Sequence, residues 1–242
     1  MIGLGTIINT AAIIVGGILG LLFGKLLNER IHHALLKCNG IVVIFIGAAG
    51  TLSKMLVLNE DGTFETQKTL LFVLSLVLGN FVGELINLER WITKFGDWLQ
   101  KKSKSTKDPN FTKAFIFASC TVAIGAMAII GSIEDATMHD YSILIAKSII
   151  DFVTILVMAC TLGKGAIFSA IPVFVLQGLV TILAVLIAPI LKENTLNAVS
   201  MVGNALIFCV GLNLIRESQM HVSNMLPSIL FAIGFSFIPF FY

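Results

Sequence analysis

Apolar runs of about 20 residues recur along this chain between short polar turns, and that recurrence constrains the fold more than any single motif. A helix rises about 1.5 Å per residue, so about 20 apolar residues cross a hydrocarbon layer about 30 Å thick. Eight segments reach that length: roughly 2–24, 36–58, 69–88, 112–133, 141–161, 166–190, 196–214 and 223–242. Ser53 and Lys54 weaken the second, and Pro227 and Pro239 interrupt the last, so seven spans stand as the alternative. With 57% hydrophobic residues, 12% charged and a mean hydropathy of +0.96, the chain carries far less charge than the ~25% of a soluble domain. No water-soluble core could hide that much apolar surface. The expected fold is all-α, a polytopic transmembrane helical bundle forming one integral membrane domain over residues 1–242.

Charge sets the expected orientation. Of the 16 Lys and Arg, all but Lys54, Lys68, Lys147 and Lys192 fall in the odd-numbered connections. Positive residues concentrate on the cytoplasmic side, which puts both termini outside a bacterial inner membrane. The second connection, with Glu60, Asp61 and Glu65, is acidic and fits the outer face. The net charge of +2 is too mild to point to nucleic acid. Cys38, Cys120, Cys160 and Cys209 lie in or beside apolar spans without a C-x-x-C pairing and read as small buried side chains.

The third connection, residues 89–110, reads as a basic cytoplasmic loop carrying an interfacial amphipathic helix. Trp91, Ile92, Phe95, Trp98 and Leu99 recur at helical spacing opposite Lys94, Asp97 and Lys101. Its expected contact is anionic lipid, with a partner protein as the alternative. In the first span, Gly16, Gly20 and Gly24 form a small-xxx-small ridge that admits another helix backbone, from this chain or from a second copy in a homo-oligomer.

A faint internal echo relates residues 5–15 to residues 165–175, with Gly5/Gly165, Ile7/Ile167 and Val15/Val175 identical. In the spans that follow, Asn39-Gly40 and Gly47 keep the separation of Gly203-Asn204 and Gly211. The first span runs inward and the sixth outward, so the echo would be an inverted repeat of the kind secondary transporters use. Chance likeness between glycine-bearing apolar spans is the competing explanation.

Polar groups within apolar spans are costly and tend to face a bundle interior or an aqueous path. Asp151 lies near the middle of the fifth span, and Lys147 is one turn away on the same face. They form either a cation or proton site or a permanent ion pair. Gln177 falls near mid-membrane, five residues beyond Pro172, whose ring would bend the span. Gln177 and Asn204 either line a polar path or bond across helices as packing glue. Asn9, Asn39 and Asn80 read the same way. Glu134 and Asp135, with His139 and Asp140, form either an outer acidic vestibule or an ordinary hydrated loop. Glu84 near the inner end of the third span either forms the inner gate of a path or snorkels beside Arg90, and the second reading is preferred. No carboxylate or cysteine cluster accompanies His32-His33, so no metal site is expected there.

Several of these residues also carry a resemblance. The opening Asn9, Ala11, Ala12, Gly16 and Gly17 resembles the YqgA/YdfK-like family of uncharacterised bacterial inner-membrane proteins. So do Gly131-Ser-Ile-Glu-Asp135, Asp140-Tyr-Ser-Ile-Leu-Ile-Ala-Lys-Ser148 with Asp151, Ser169-Ala-Ile-Pro172 with Gln177-Gly178, and Asn224-Met-Leu-Pro227. The likeness departs at Ala136, where the family pattern often has glycine. It implies a polytopic plasma-membrane protein and brings no reaction, cofactor or catalytic residue.

The residues thus point to a channel or transporter for a small solute or ion. Its candidate site residues are Asp151, Lys147, Gln177, Asn204, Glu134 and Asp135. A non-catalytic scaffold or sensor is the first alternative. An intramembrane enzyme is the second, and the absence of H-E-x-x-H, P-loop and dinucleotide motifs argues against it. No cofactor or metal is expected.

Overall fold

A computed structural model describes residues 2–106, 108–123, 126–187, 192–216 and 220–241. Lys107 of the basic loop, residues 188–190 of the sixth expected span and Tyr242 at the end of the last lie outside them. Among the described residues the chain is almost wholly helical. The helices are α1 (Leu4–Gly24), α2 (Glu29–Met55), α3 (Thr69–Ile86), α4 (Leu88–Lys102), α5 (Phe111–Ala123), α6 (Ala126–Thr137), α7 (Ser142–Leu162), α8 (Ala170–Ile187), α9 (Glu193–Arg216) and α10 (Pro227–Phe235). A hairpin of β1 (Leu56–Leu58) and β2 (Phe64–Thr66) joins α2 to α3, with Val57 opposite Glu65. Asp61 accepts the Thr63 hydroxyl and N–H at its tip, which holds its carboxyl below the usual carboxylate range.

Six helices are long and apolar enough to cross a membrane, or seven if the bent pair α5–α6 is one span. The weak second segment becomes the 27-residue α2, begun by the Asn28 side chain accepting from Ile31 N–H at 3.0 Å. The fourth expected span is instead two short helices, bent by 58° between α5 and α6. The eighth contracts to an apolar helix of 14 residues over Val222–Phe235, which includes a 3-10 turn before Pro227. Pro172 sits in the first turn of α8, just after the 3-10 turn Lys164–Ser169.

Close backbone approach fixes how the helices pair. α1 and α7 run parallel, and the Gly16, Gly20 and Gly24 ridge lies against the carbonyls of Phe152, Leu156 and Cys160. The ridge is therefore taken by a neighbour in the same chain. α2 and α9 run antiparallel with reciprocal contacts: a Cβ on Gly47 would lie 2.7 Å from Asn204 O, and one on Gly211 would lie 2.9 Å from Gly40 O. α3 and α10 also run antiparallel, with Gly79 at Ser228 and Gly83 at Asn224. α9 sits centrally, buried on most of its circumference. Outward positions such as Phe45, Ile149, Ile182 and Leu230 are large, apolar and exposed, as lipid-facing surface requires.

The bundle has two polar ends. At the first lie the start of α1, the end of α6, the start of α7 and the hairpin. At the second, a cavity lined by Lys25, Asp108, Gly163 and Lys164 joins the ends of α1 and α7 to the start of α5. α4 lies along the second end, docked on α5 where Thr112 Oγ1 donates to Asp97 Oδ1 at 2.7 Å. Its Trp91, Phe95 and Trp98 remain exposed, with Lys94 over the Trp91 ring.

Candidate ion- or solute-binding site

Lys147 and Asp151 share one face of α7, and that face is turned into the bundle: they are 7% and 3% exposed. The Lys147 ammonium donates to Asp151 Oδ2 at 2.7 Å and to Oδ1 at 2.9 Å. It also donates to the carbonyl of Val122 at 2.8 Å. Val122 lies in the last described turn of α5, before the 58° bend to α6. Its carbonyl and the Asp151 carboxylate thus converge on one buried cation. From α1, Asn9 Nδ2 donates to Asp151 Oδ2 at 3.0 Å. Lys147, Asp151, Asn9 and the Val122 carbonyl form a single network across three helices, and its formal charge is zero.

The network is satisfied on one side only. Asn9 Oδ1 is buried without a hydrogen-bond partner, as are Thr6 Oγ1 and both polar atoms of the Gln177 amide. Thr6 and Asn9 are three residues apart on one face of α1. Gln177 belongs to the buried stripe of α8 with Ala170, Val173, Thr181 and Ala184. A buried polar atom without a partner costs about 1–3 kcal/mol, so native structures keep few of them unless water or an ion completes the set.

The remaining expected site residues separate from this group. Asp135 is fully buried at the first end, where its two oxygens accept the N–H groups of Gly3 at 3.1 Å and Gly5 at 2.9 Å. It caps α1 across the chain, and its negative charge complements that helix N-terminus. Glu134 is half-buried beside it, and its backbone carbonyl accepts from Met138 N–H at 2.8 Å. Asn204 donates to Ser200 O at 2.7 Å and packs on Gly50 within the α2–α9 seam. Asn80 is exposed on α3. Glu84 Oε1 lies 3.3 Å from His221 Nδ1 rather than beside Arg90. Sequence reasoning missed Thr6 and the Val122 carbonyl, and it gave Asn9 no particular partner. The one available signal was the recurrence of Asn9 and Asp151 among the residues carrying the family resemblance.

A second cavity, about 520 Å³, lies between α4, α5, α8 and α10 and is almost wholly apolar, with Ser119 its exception. Among the described residues, no three His, Cys, Asp or Glu side chains gather where they could hold a metal ion.

Long apolar helices, a lipid-suited exterior and a charged pair sealed inside define a multi-pass helical membrane protein. The chain belongs to the family described as protein of unknown function (DUF554), which it matches over residues 4–237. It is similar to the uncharacterized membrane protein YdfK of Bacillus subtilis (strain 168), with 29% identity over 226 residues, covering 93% of this chain and 92% of that one. It is also similar to the uncharacterized protein YqgA of Escherichia coli (strain K12), with 28% identity over 237 residues and 96% of each chain covered. No solved structure matches.

Proposed function

We propose that this protein moves a small solute or ion across a bacterial inner membrane, with Lys147, Asp151 and Asn9 at the centre of the path. The observation that carries this reading is the buried ion pair at mid-span beside polar groups that lack partners. A pair serving packing alone would be costly, since well-packed apolar residues of similar volume hold helices together as well or better. An intramembrane ionisable group is a functional candidate for the same reason.

The helix pairing supports the reading. α2 packs antiparallel to α9, α3 packs antiparallel to α10, and α1 packs on α8, as an inverted repeat relating α1–α3 to α8–α10 would require. The reciprocal contacts of Gly47 with Asn204 and Gly211 with Gly40 are what a two-fold axis in the membrane plane would produce. An inverted repeat of this kind places a substrate site at the interface of its halves and lets one half rock against the other. Lysines and arginines crowd the second end of the bundle, which supports a cytoplasmic second end with both termini outside.

The exposed aromatic face of α4 favours one other reading, a non-catalytic scaffold that engages a partner at the inner surface. Flux and charge movement in proteoliposomes separate the two readings, using small cations, amino acids and polyamines with wild type, Asp151→Asn and Gln177→Leu. Solute-dependent flux that both variants lose while remaining monodisperse supports transport through this site. No flux from any protein across the panel would sink it.

A further inference from the structure

The apolar cavity of about 520 Å³ is lined by neither Lys147 nor Asp151. α4 contributes Ile92 and Phe95 to it at the second end, and α5 contributes Phe115, Ser119 and Ala123. At its far end Ala123 and Ile129 stand on either side of the bend between α5 and α6. The lining runs about 12 Å along α5, from Phe115 to Ala123, and about 10 Å along α8, from Pro172 to Leu179. One leaflet holds about 15 Å of hydrocarbon, so the cavity covers most of that depth on the side of the second end. Val175 and Leu179 of α8 and Leu230 of α10 line it and are half or more exposed, so it opens sideways to where lipid tails lie.

The chemistry of the lining selects its occupant. A polar solute would find little there beyond one hydroxyl, Ser119 Oγ, which is buried without a partner. An extended peptide would leave backbone N–H and C=O groups unpaired among apolar side chains, which structures at this depth avoid. A hydrocarbon chain needs no partner and gains from every apolar contact.

Charge at the mouth of the cavity selects the headgroup. Phe95 touches Phe115 inside, with ring centroids 5.9 Å apart, and stacks on Trp98 outside at 5.7 Å. Trp91 and Trp98 are exposed on the same helix, one turn to either side of Phe95. Tryptophans on such a face sit at headgroup level. Arg90, Lys94, Lys101 and Lys102 are exposed on α4, whereas Glu89 is half-buried and Asp97 accepts the Thr112 hydroxyl. The surplus is positive at the depth of a lipid phosphate, and it complements an anionic headgroup. We infer that the cavity holds one acyl chain of an anionic phospholipid from the leaflet at the second end, with its phosphate on the basic residues of α4. This goes beyond the transport reading and does not depend on it.

The chain has two tryptophans, Trp91 and Trp98, so its fluorescence reads this mouth directly. The test reconstitutes the full chain in phosphatidylcholine vesicles with rising mole fractions of chain-brominated phosphatidylglycerol, a quencher, against chain-brominated phosphatidylcholine. Each protein is referenced to its own fluorescence in unbrominated lipid. With phosphatidylglycerol, quenching should include a component that saturates at low mole fraction. Its apparent affinity should exceed that for phosphatidylcholine about fivefold or more, the worth of one basic residue near an anionic surface. Quenching that only tracks the brominated fraction, or that is equal for the two lipids, would overturn the inference. Ser119→Phe puts a ring into the cavity and should remove the saturating component, and persistence of that component would count against the site. If this variant fails to insert, Leu176→Phe fills the cavity from α8 and decides the same point. Lys94→Gln with Lys102→Gln should keep the saturating component and bring the two lipids to within about twofold of each other. An undiminished preference would refute the phosphate contact. Absence of the saturating component together with a dimer cross-linked through α4 would give the cavity to a second copy of this chain.

Discussion

The Lys147 ammonium reaches the Val122 carbonyl at 2.8 Å, so a cation on α7 is bonded to the backbone of α5. The same ammonium neutralises Asp151 one turn along α7. The bend between α5 and α6 and the buried charge pair therefore meet at one place.

Removing either partner of the pair should be far more damaging than removing both. Lys147→Met leaves a buried carboxylate and an open carbonyl, and should cost about 3–5 kcal/mol. Replacing both together, as Lys147→Met with Asp151→Leu, should recover most of that loss, because two apolar side chains need no counter-charge. Thermal unfolding in detergent across the four-corner cycle measures the coupling, and simple additivity would contradict it.

Asp135 supports α1 at its first turn. Asp135→Ala should destabilise the protein by about 1–2 kcal/mol, the usual worth of a lost helix cap. Hydrogen exchange should accelerate at Gly3 to Ile7 before it does so elsewhere, while Glu134→Ala should leave those amides protected. Equal effects of the two substitutions would assign Asp135 no capping role.

The glycine ridge of α1 tolerates no side chain where it meets α7. A Cβ at Gly20 would collide with the Leu156 carbonyl, which is backbone and cannot swing away. Gly20→Val should abolish a monodisperse product. Gly178→Ala is the control: nothing lies within 4 Å of its added carbon, and helix propensity favours alanine by up to about 1 kcal/mol. Size-exclusion profiles of the two variants, read together, decide the point.

The two ends of the bundle should label from opposite sides. In a chain whose four cysteines are replaced by alanine, Asp61→Cys should react with an impermeant maleimide on intact cells. Lys102→Cys should react only after permeabilisation. The reverse pattern would invert the proposed orientation.

Most of the architecture was legible because lipid makes one strong demand: every backbone group must be paired within the segment, so length and apolarity alone mark α1, α3, α7 and α9. The i, i+4 spacing put Lys147 and Asp151 on one face for the same reason of helical geometry. Length and apolarity marked the α5–α6 segment, but a mostly apolar run does not reveal that the chain turns by 58° within it. They also credited the closing segment with a full span, although its helix covers only Val222–Phe235.

What the sequence determined by itself was thus the membrane class, the helical segments and the presence of charge where lipid forbids it. Only the tertiary structure decided which helices meet. It brought Asn9, 142 residues away in the chain, onto Asp151, gave the glycine ridge to α7, and turned Asp135 from a surface acid into the cap of α1. The reason is physical: partner choice depends on close backbone approach and on carbonyls and amides left open at helix ends. Those are relations between distant segments, which no local pattern of side chains encodes.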